Sequence, residues 1–119
     1  MVKLPAPLEY HECVTFAQYL SKLQDQGKLV MFSHIPEMHT MSHAQRAKNV
    51  AQGFHSGMPD YVIILNNNKT LWIEMKRKSG SSTSDEQYKW QSALNDAGCI
   101  SEICYGAQAA IDVVKDNLL

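Results

Sequence analysis

Three charged residues interrupt what otherwise reads as an apolar β-hairpin, and together their types could do chemistry. Gly57-Met58-Pro59-Asp60 leads into Tyr61-Val62-Ile63-Ile64-Leu65, and a turn rich in Asn (Asn66, Asn67, Asn68) precedes Thr70-Leu71-Trp72-Ile73-Glu74-Met75-Lys76. The β-branched and aromatic content of both runs predicts two strands. Glu74 and Lys76 are two apart and so project from one face. Whether Asp60 joins them depends on the turn. Leu65 opposite Thr70 would set Asp60 opposite Met75, pointing away. Asn66 opposite Thr70, around a three-residue turn with Asn in the left-handed position, would bring Asp60 opposite Lys76 on the shared face. Asp60 could also stand just ahead of the ladder, where its side chain turns more freely. The last two arrangements gather two carboxylates and an ammonium at one spot.

Carboxylates forced together in a partly desolvated place repel, and a divalent cation relieves the repulsion. Hard oxygen donors in small number suit Mg²⁺ or Mn²⁺, which keep water positions open to a phosphate oxygen. The Met75 backbone carbonyl, between Glu74 and Lys76, could add a ligand. Such an ion activates water towards phosphorus, and Lys76 could orient that water or neutralise charge growing on the phosphoryl group. The constellation therefore points to metal-dependent phosphodiester hydrolysis, with Asp60, Glu74 and Met75 on the metal.

The elements that must position these groups fit in one domain over 1–119. The chain has 119 residues, and its 45% apolar and 19% charged content is that of an ordinary globular sequence, not a disordered one. No apolar run approaches a membrane span and the first residues lack a signal-peptide core, so a cytoplasmic protein is expected. Cys13, Cys99 and Cys104 match no metal or disulfide spacing and read as small buried hydrophobes. A net charge of −1 sits awkwardly with nucleic-acid binding. Positive charge is local instead: Arg77, Lys78 and the adjoining Ser79 after the hairpin, and Arg46 and Lys48 before it, are the candidate phosphate contacts.

Leu8 to about Gln26 reads as a first helix, with Cys13, Phe16, Ala17, Leu20 and Leu23 at helical spacing. Glu9 extends that stripe by one turn, and Glu12 lies at a neighbouring angle. Both are favourable first-turn acids. Leu29–Ser33 is a short strand, and residues 35–41 form a loop without period. His34, His39 and His43 match no closed zinc pattern. Ser42 or Thr40 caps a helix through Val50. Residues 77–83 are polar and flexible. Ser84, with Gln87 three residues on, has capping-box spacing and opens a helix to Gly98. Ile100–Tyr105 is a strand, and Ala107 to about Leu118 a closing amphipathic helix. Trp72, Tyr88 and Trp90 are assigned to core packing rather than to stacking on bases. The order αβαββαβα predicts an α/β domain with a mixed sheet flanked by helices.

Pro59-Asp60 followed by Glu74-Met75-Lys76 resembles the PD-(D/E)XK nuclease signature, and the flanks resemble its VRR-NUC branch, as found in stand-alone phage and bacterial proteins. The matching features are Gly57-Met58-Pro59-Asp60, Ile73-Glu74-Met75-Lys76, and Ser84-Asp85-Glu86-Gln87 with Trp90. Leu8-Glu9, His34-Ile35-Pro36 and Leu94 to Gly98 extend the likeness over most of the chain; Glu37 stands where similar sequences often have Asn. The resemblance implies a restriction-endonuclease-like core and a third carboxylate from the first helix, either Glu9 or Glu12; Glu9 is preferred because an acid on the core-facing stripe needs a partner. It also implies a Gln87 that faces the active site. It further implies a Mg²⁺- or Mn²⁺-dependent DNA endonuclease acting as a homodimer on branched, junction-like DNA in replication, repair or recombination, in a host cytoplasm or nucleoid if phage-encoded. The alternative is a nucleic-acid-binding module that keeps the fold without catalysis.

Overall fold

The hairpin lies at the centre of the sheet, with the first and last helices against one face and the helix that follows the hairpin against the other. In the computed structural model, which describes residues 8–36 and 41–118, the elements run α1 (Glu9–Asp25), β1 (Leu29–His34), α2 (His43–Ala51), β2 (Tyr61–Leu65), β3 (Thr70–Lys76), α3 (Asp85–Asp96), β4 (Ile100–Tyr105) and α4 (Ala107–Asn117). The order is the αβαββαβα expected from the sequence. The strands lie side by side as β1-β2-β3-β4. The β1–β2 and β2–β3 pairs are antiparallel and β3–β4 is parallel, so the sheet is mixed. A parallel pair needs a crossover, and α3 provides it.

Alternation along the strands divides the sheet into two faces. Tyr61, Ile63 and Leu65 of β2 and Leu71, Ile73 and Met75 of β3 point into the core. Phe16, Leu20 and Leu23 of α1 and Ala107, Ala110 and Val114 of α4 meet them there. On the other face α3 lies over β4, where Asn95 exchanges hydrogen bonds with the Ser101 backbone, its Oδ1 accepting the amide at 2.9 Å. Met31 and Ile64, further along that face, stay exposed. No helix among the described residues is long and apolar enough to cross a membrane.

Several details depart from the sequence reading. The buried stripe of α1 is Glu12, Phe16, Leu20 and Leu23, so Glu12 lies on it and Glu9 beside it. Cys13 is only half-buried, as is Cys99, whereas Cys104 is buried. The hairpin adopts neither anticipated register. Ile64 pairs with Thr70, and the Leu65 amide donates to the Lys69 carbonyl, which leaves Asn66, Asn67 and Asn68 inside the turn. Asn68 takes the left-handed conformation at φ 64°. Asn66 donates to the Gly27 carbonyl beyond α1, and Asn67 to the Asn117 carbonyl at the end of α4. The longer turn is therefore held by both helices under the sheet.

Ser42 caps α2, its hydroxyl accepting the Gln45 amide at 3.2 Å. Thr40, the rival cap, lies outside the described residues, as do Glu37 and His39. None of α3 is buried: Tyr88 is exposed and Trp90 half-buried, so the core role expected of Tyr88 is wrong, because α3 packs on the sheet chiefly along its β4 side. Trp72 is half-buried, and its indole nitrogen is buried without a hydrogen-bond partner among the described residues.

Candidate metal centre

With Ile64 opposite Thr70 and Tyr61 opposite Ile73, the next step of the ladder sets Asp60 opposite Glu74. Asp60 stands just ahead of β2, and its Oδ2 accepts the Met75 amide at 2.8 Å. Antiparallel pairing brings the start of β2 to the end of β3, so both carboxylates sit at one end of the sheet. The Asp60 carbonyl accepts the Ile35 amide at 2.7 Å, which extends the β1 pairing one step and fixes the lead-in. Asp60 and Glu74 are each 4% exposed.

Glu9, in the first turn of α1, completes the group. One oxygen from each of Glu9, Asp60 and Glu74 lies within 4.8 Å of the others. Lys76 is buried beside them, its Nζ 3.7 Å from Glu74 Oε2. Gln87 arrives from α3 and has two tasks. Its Oε1 accepts the Ser84 amide at 3.0 Å as half of a capping box, and its Nε2 donates to Glu74 Oε2 at 3.0 Å. The capping and site-facing readings of Gln87 are thus compatible in one rotamer.

The lead-in is clamped to α3. Gly57 has φ +89°, a conformation L side chains avoid, and a Cβ there would come within 2.6 Å of the Glu86 backbone. Trp90 Nε1 donates to the Ser56 carbonyl at 2.9 Å. One residue past Glu86, Gln87 is thereby held at a fixed distance from Asp60. This contact accounts physically for a Gly before Pro-Asp and an aromatic residue after Gln.

Glu12 goes elsewhere. Its Oε2 accepts the Ala107 amide at 2.7 Å, at the start of α4. The helix N-cap is Gly106, which has no side chain to cap with, and a Cβ at Gly106 would stand 2.6 Å from that carboxylate oxygen. Glu12 is therefore the cap of a distant helix, where a negative charge is favoured. Sequence reasoning missed this role. Its one signal was a glycine ahead of an amphipathic run with no capping side chain.

Of the remaining sequence candidates, Met75 contributes its amide to Asp60. Arg77 is half-buried and Lys78 and Ser79 exposed as the chain leaves β3; Arg46 and Lys48 lie on α2, outside the carboxylate group. His34 and His43 belong to no metal-capable cluster among the described residues.

Charge explains what the centre is suited to. Burial first, then the charge and hydrogen bond of Asp60, push the Glu74 carboxyl up to about 9 from its ordinary 4.5; Glu9 adds to the rise and Lys76 opposes it. Next to Asp60, the Tyr61 phenol is also raised, chiefly by burial. Three carboxylates, one of them driven by burial and by Asp60 to hold its proton at neutral pH, form an oxygen donor set that fits Mg²⁺ or Mn²⁺.

The VRR-NUC domain family matches residues 8–108. The chain belongs to that family. A solved VRR-NUC domain protein superposes with a TM-score of 0.74 at 19% identity, over 95% of this chain and 89% of its own. A second, described as a VRR-NUC domain, gives 0.65 at 13% identity over 94% and 99%. At these identities the likeness is one of fold, and the fold is of nuclease type. No curated protein matches the sequence.

Proposed function

We propose that this VRR-NUC chain is a Mg²⁺- or Mn²⁺-dependent deoxyribonuclease that cuts phosphodiester bonds as an endonuclease. The observation that carries the reading is the convergence of Glu9, Asp60 and Glu74 within 4.8 Å, with the Lys76 ammonium at their edge. Binding alone gives no reason to gather three carboxylates at one spot, two of them buried.

Glu9, Asp60 and Glu74 would hold the ion, with the Met75 carbonyl as a further donor. When bound, a divalent cation supplies Lewis-acid polarisation of a phosphate oxygen and a more acidic water. The chain's own groups do the rest. Asp60 is fixed by the Met75 amide, so its carboxylate is aimed before substrate arrives. Gln87 fixes Glu74 and presents an amide to the same space. Lys76 sits where it can orient the attacking water and offset negative charge on the phosphoryl oxygens. Arg77, Lys78 and Ser79 follow directly, and contact the DNA backbone beside the cut, with Arg46 and Lys48 as outer phosphate contacts. A homodimer acting on branched DNA in replication, repair or recombination is the arrangement the family resemblance favours.

The test is cleavage of a labelled four-way junction, a flap and a linear duplex with Mg²⁺, Mn²⁺ or EDTA. Lys76→Ala and Glu74→Gln are each expected to lower the rate by roughly 10²–10³-fold, and EDTA to abolish cutting. Binding without cutting, indifferent to both substitutions, would leave a recognition module instead. Sedimentation of a monomer at working concentration would remove the dimer.

A further inference from the structure

Beside the carboxylates, on the α1 side, a groove of 590 Å³ opens to solvent. Among the described residues Tyr10, Cys13, Val14 and Ala17 of α1 form one wall, and His34, Pro36 and Tyr61 the other. Glu9 lines its end, so one residue belongs both to the groove and to the carboxylate group. The lining is mostly apolar and, among the described residues, includes no Lys or Arg. Tyr10 is 70% exposed at the rim, and the His34 and Tyr61 rings meet edge to face at 5.1 Å deeper in.

These features decide what part of a nucleic acid can enter. Among the described residues a phosphate would meet no Lys or Arg there and would have Glu9 for a neighbour. A nucleobase is flat, uncharged and able to stack on tyrosine or histidine, and the volume lies in the ~300–1,000 Å³ range of small-ligand pockets. A base within a duplex is already stacked and paired, so only an unpaired one is available. We propose that this groove is a base-binding subsite that seats an unpaired nucleobase next to the scissile phosphate, with Tyr10 as its stacking platform and Ala17 setting its depth. The assignment rests on the nuclease reading for its register with the cut, but not for base binding itself.

An abasic scan tests it. A single-stranded oligonucleotide, cut with Mn²⁺, is compared with copies in which one nucleotide at a time lacks its base. Removal at one position flanking the cut is expected to slow cleavage roughly 5- to 150-fold, the worth of one stacked base. In Tyr10→Ala and in the groove-filling Ala17→Phe, that position should no longer matter. Tyr88→Ala, an exposed aromatic on α3, should keep the wild-type profile. Fluorescence anisotropy in EDTA reads the same positions without catalysis. A flat scan in both assays overturns the subsite, as does a scan whose sensitive position survives both groove variants. If nothing is cut under any metal, but anisotropy still shows the base-dependent position and its loss in the variants, the nuclease reading fails and the subsite stands.

Discussion

Glu74 carries the clearest consequence at the scale of single residues. Its carboxyl is raised to about 9, so between about 4.5 and 9 the folded protein holds a proton that the unfolded chain has released. Stability of the metal-free protein is then fully present below about 4.5 and falls as pH rises towards 9. Glu74→Gln removes that slope. In EDTA at pH 8 the variant is expected to melt above the wild type by several degrees, on the order of 1–2 kcal/mol, with the gap closing by pH 5. Mn²⁺ should reverse the ranking, because binding displaces the proton, and apparent affinity should climb with pH up to about 9. Calorimetric melts from pH 5 to 9 with and without Mn²⁺ check both signs; a pH-independent gap would mean that Asp60 and Glu74 do not share a proton. The two helix acids separate in the same experiment. Glu12→Ala leaves the Ala107 amide buried and unpaired, and should cost about 1–3 kcal/mol in urea unfolding with Mn²⁺ affinity retained. Glu9→Gln should do the opposite. The residue types Asp60, Glu74 and Lys76 were legible because charge inside an apolar hairpin is conspicuous. Which of Glu9 and Glu12 faces the carboxylates was not, since it depends on a helix beginning at Ala107, far away in sequence.

At the scale of elements, the site depends on how the lead-in, the hairpin and α3 are fastened together. The strands could be read from their composition, but not their register, because turn length was set by contacts outside the hairpin. Asn66 and Asn67 bond to carbonyls at the ends of α1 and α4, and those partners hold open a turn longer than local preference suggests. The helix cap at Ser84 was legible as a spacing, and the structure adds that the cap residue Gln87 also reaches Glu74. Gly57 is the joint that makes this possible. Gly57→Ala combines a disfavoured φ with a Cβ driven into the Glu86 backbone, so it should destabilise by roughly 2 kcal/mol or more and displace the first turn of α3. Urea unfolding measures the first effect. The second predicts that Gly57→Ala loses Mn²⁺ affinity while Ser84→Ala, which costs only the cap, about 0.5–2 kcal/mol, largely retains it.

For the whole molecule, the net charge of −1 constrains how DNA is held. Each phosphate neutralised by a cation releases counterions, and log K falls with log salt at a slope of about −0.9 per contact. The proposed contacts Arg46, Lys48, Arg77 and Lys78 therefore give a slope near −3 to −4 for one chain, and about twice that for two copies sharing one substrate. Anisotropy titrations of a four-way junction between 50 and 200 mM salt, roughly the range over which such slopes are read, distinguish these cases. A shallow slope with sedimentation as a dimer would mean that only one copy engages the backbone. A slope near −7, falling by about one per copy (about two in the pair) when Lys78 becomes alanine, would mean that the weak basic character of each chain is overcome by pairing. With three carboxylates at its centre, a chain of this charge should also bind DNA more tightly once a divalent ion is present. Ca²⁺, a hard cation that oxygen donors accept, should raise affinity in the wild type and lose that effect in Glu9→Gln. Enhancement that survives Glu9→Gln would place the ion on the DNA rather than in the carboxylate group.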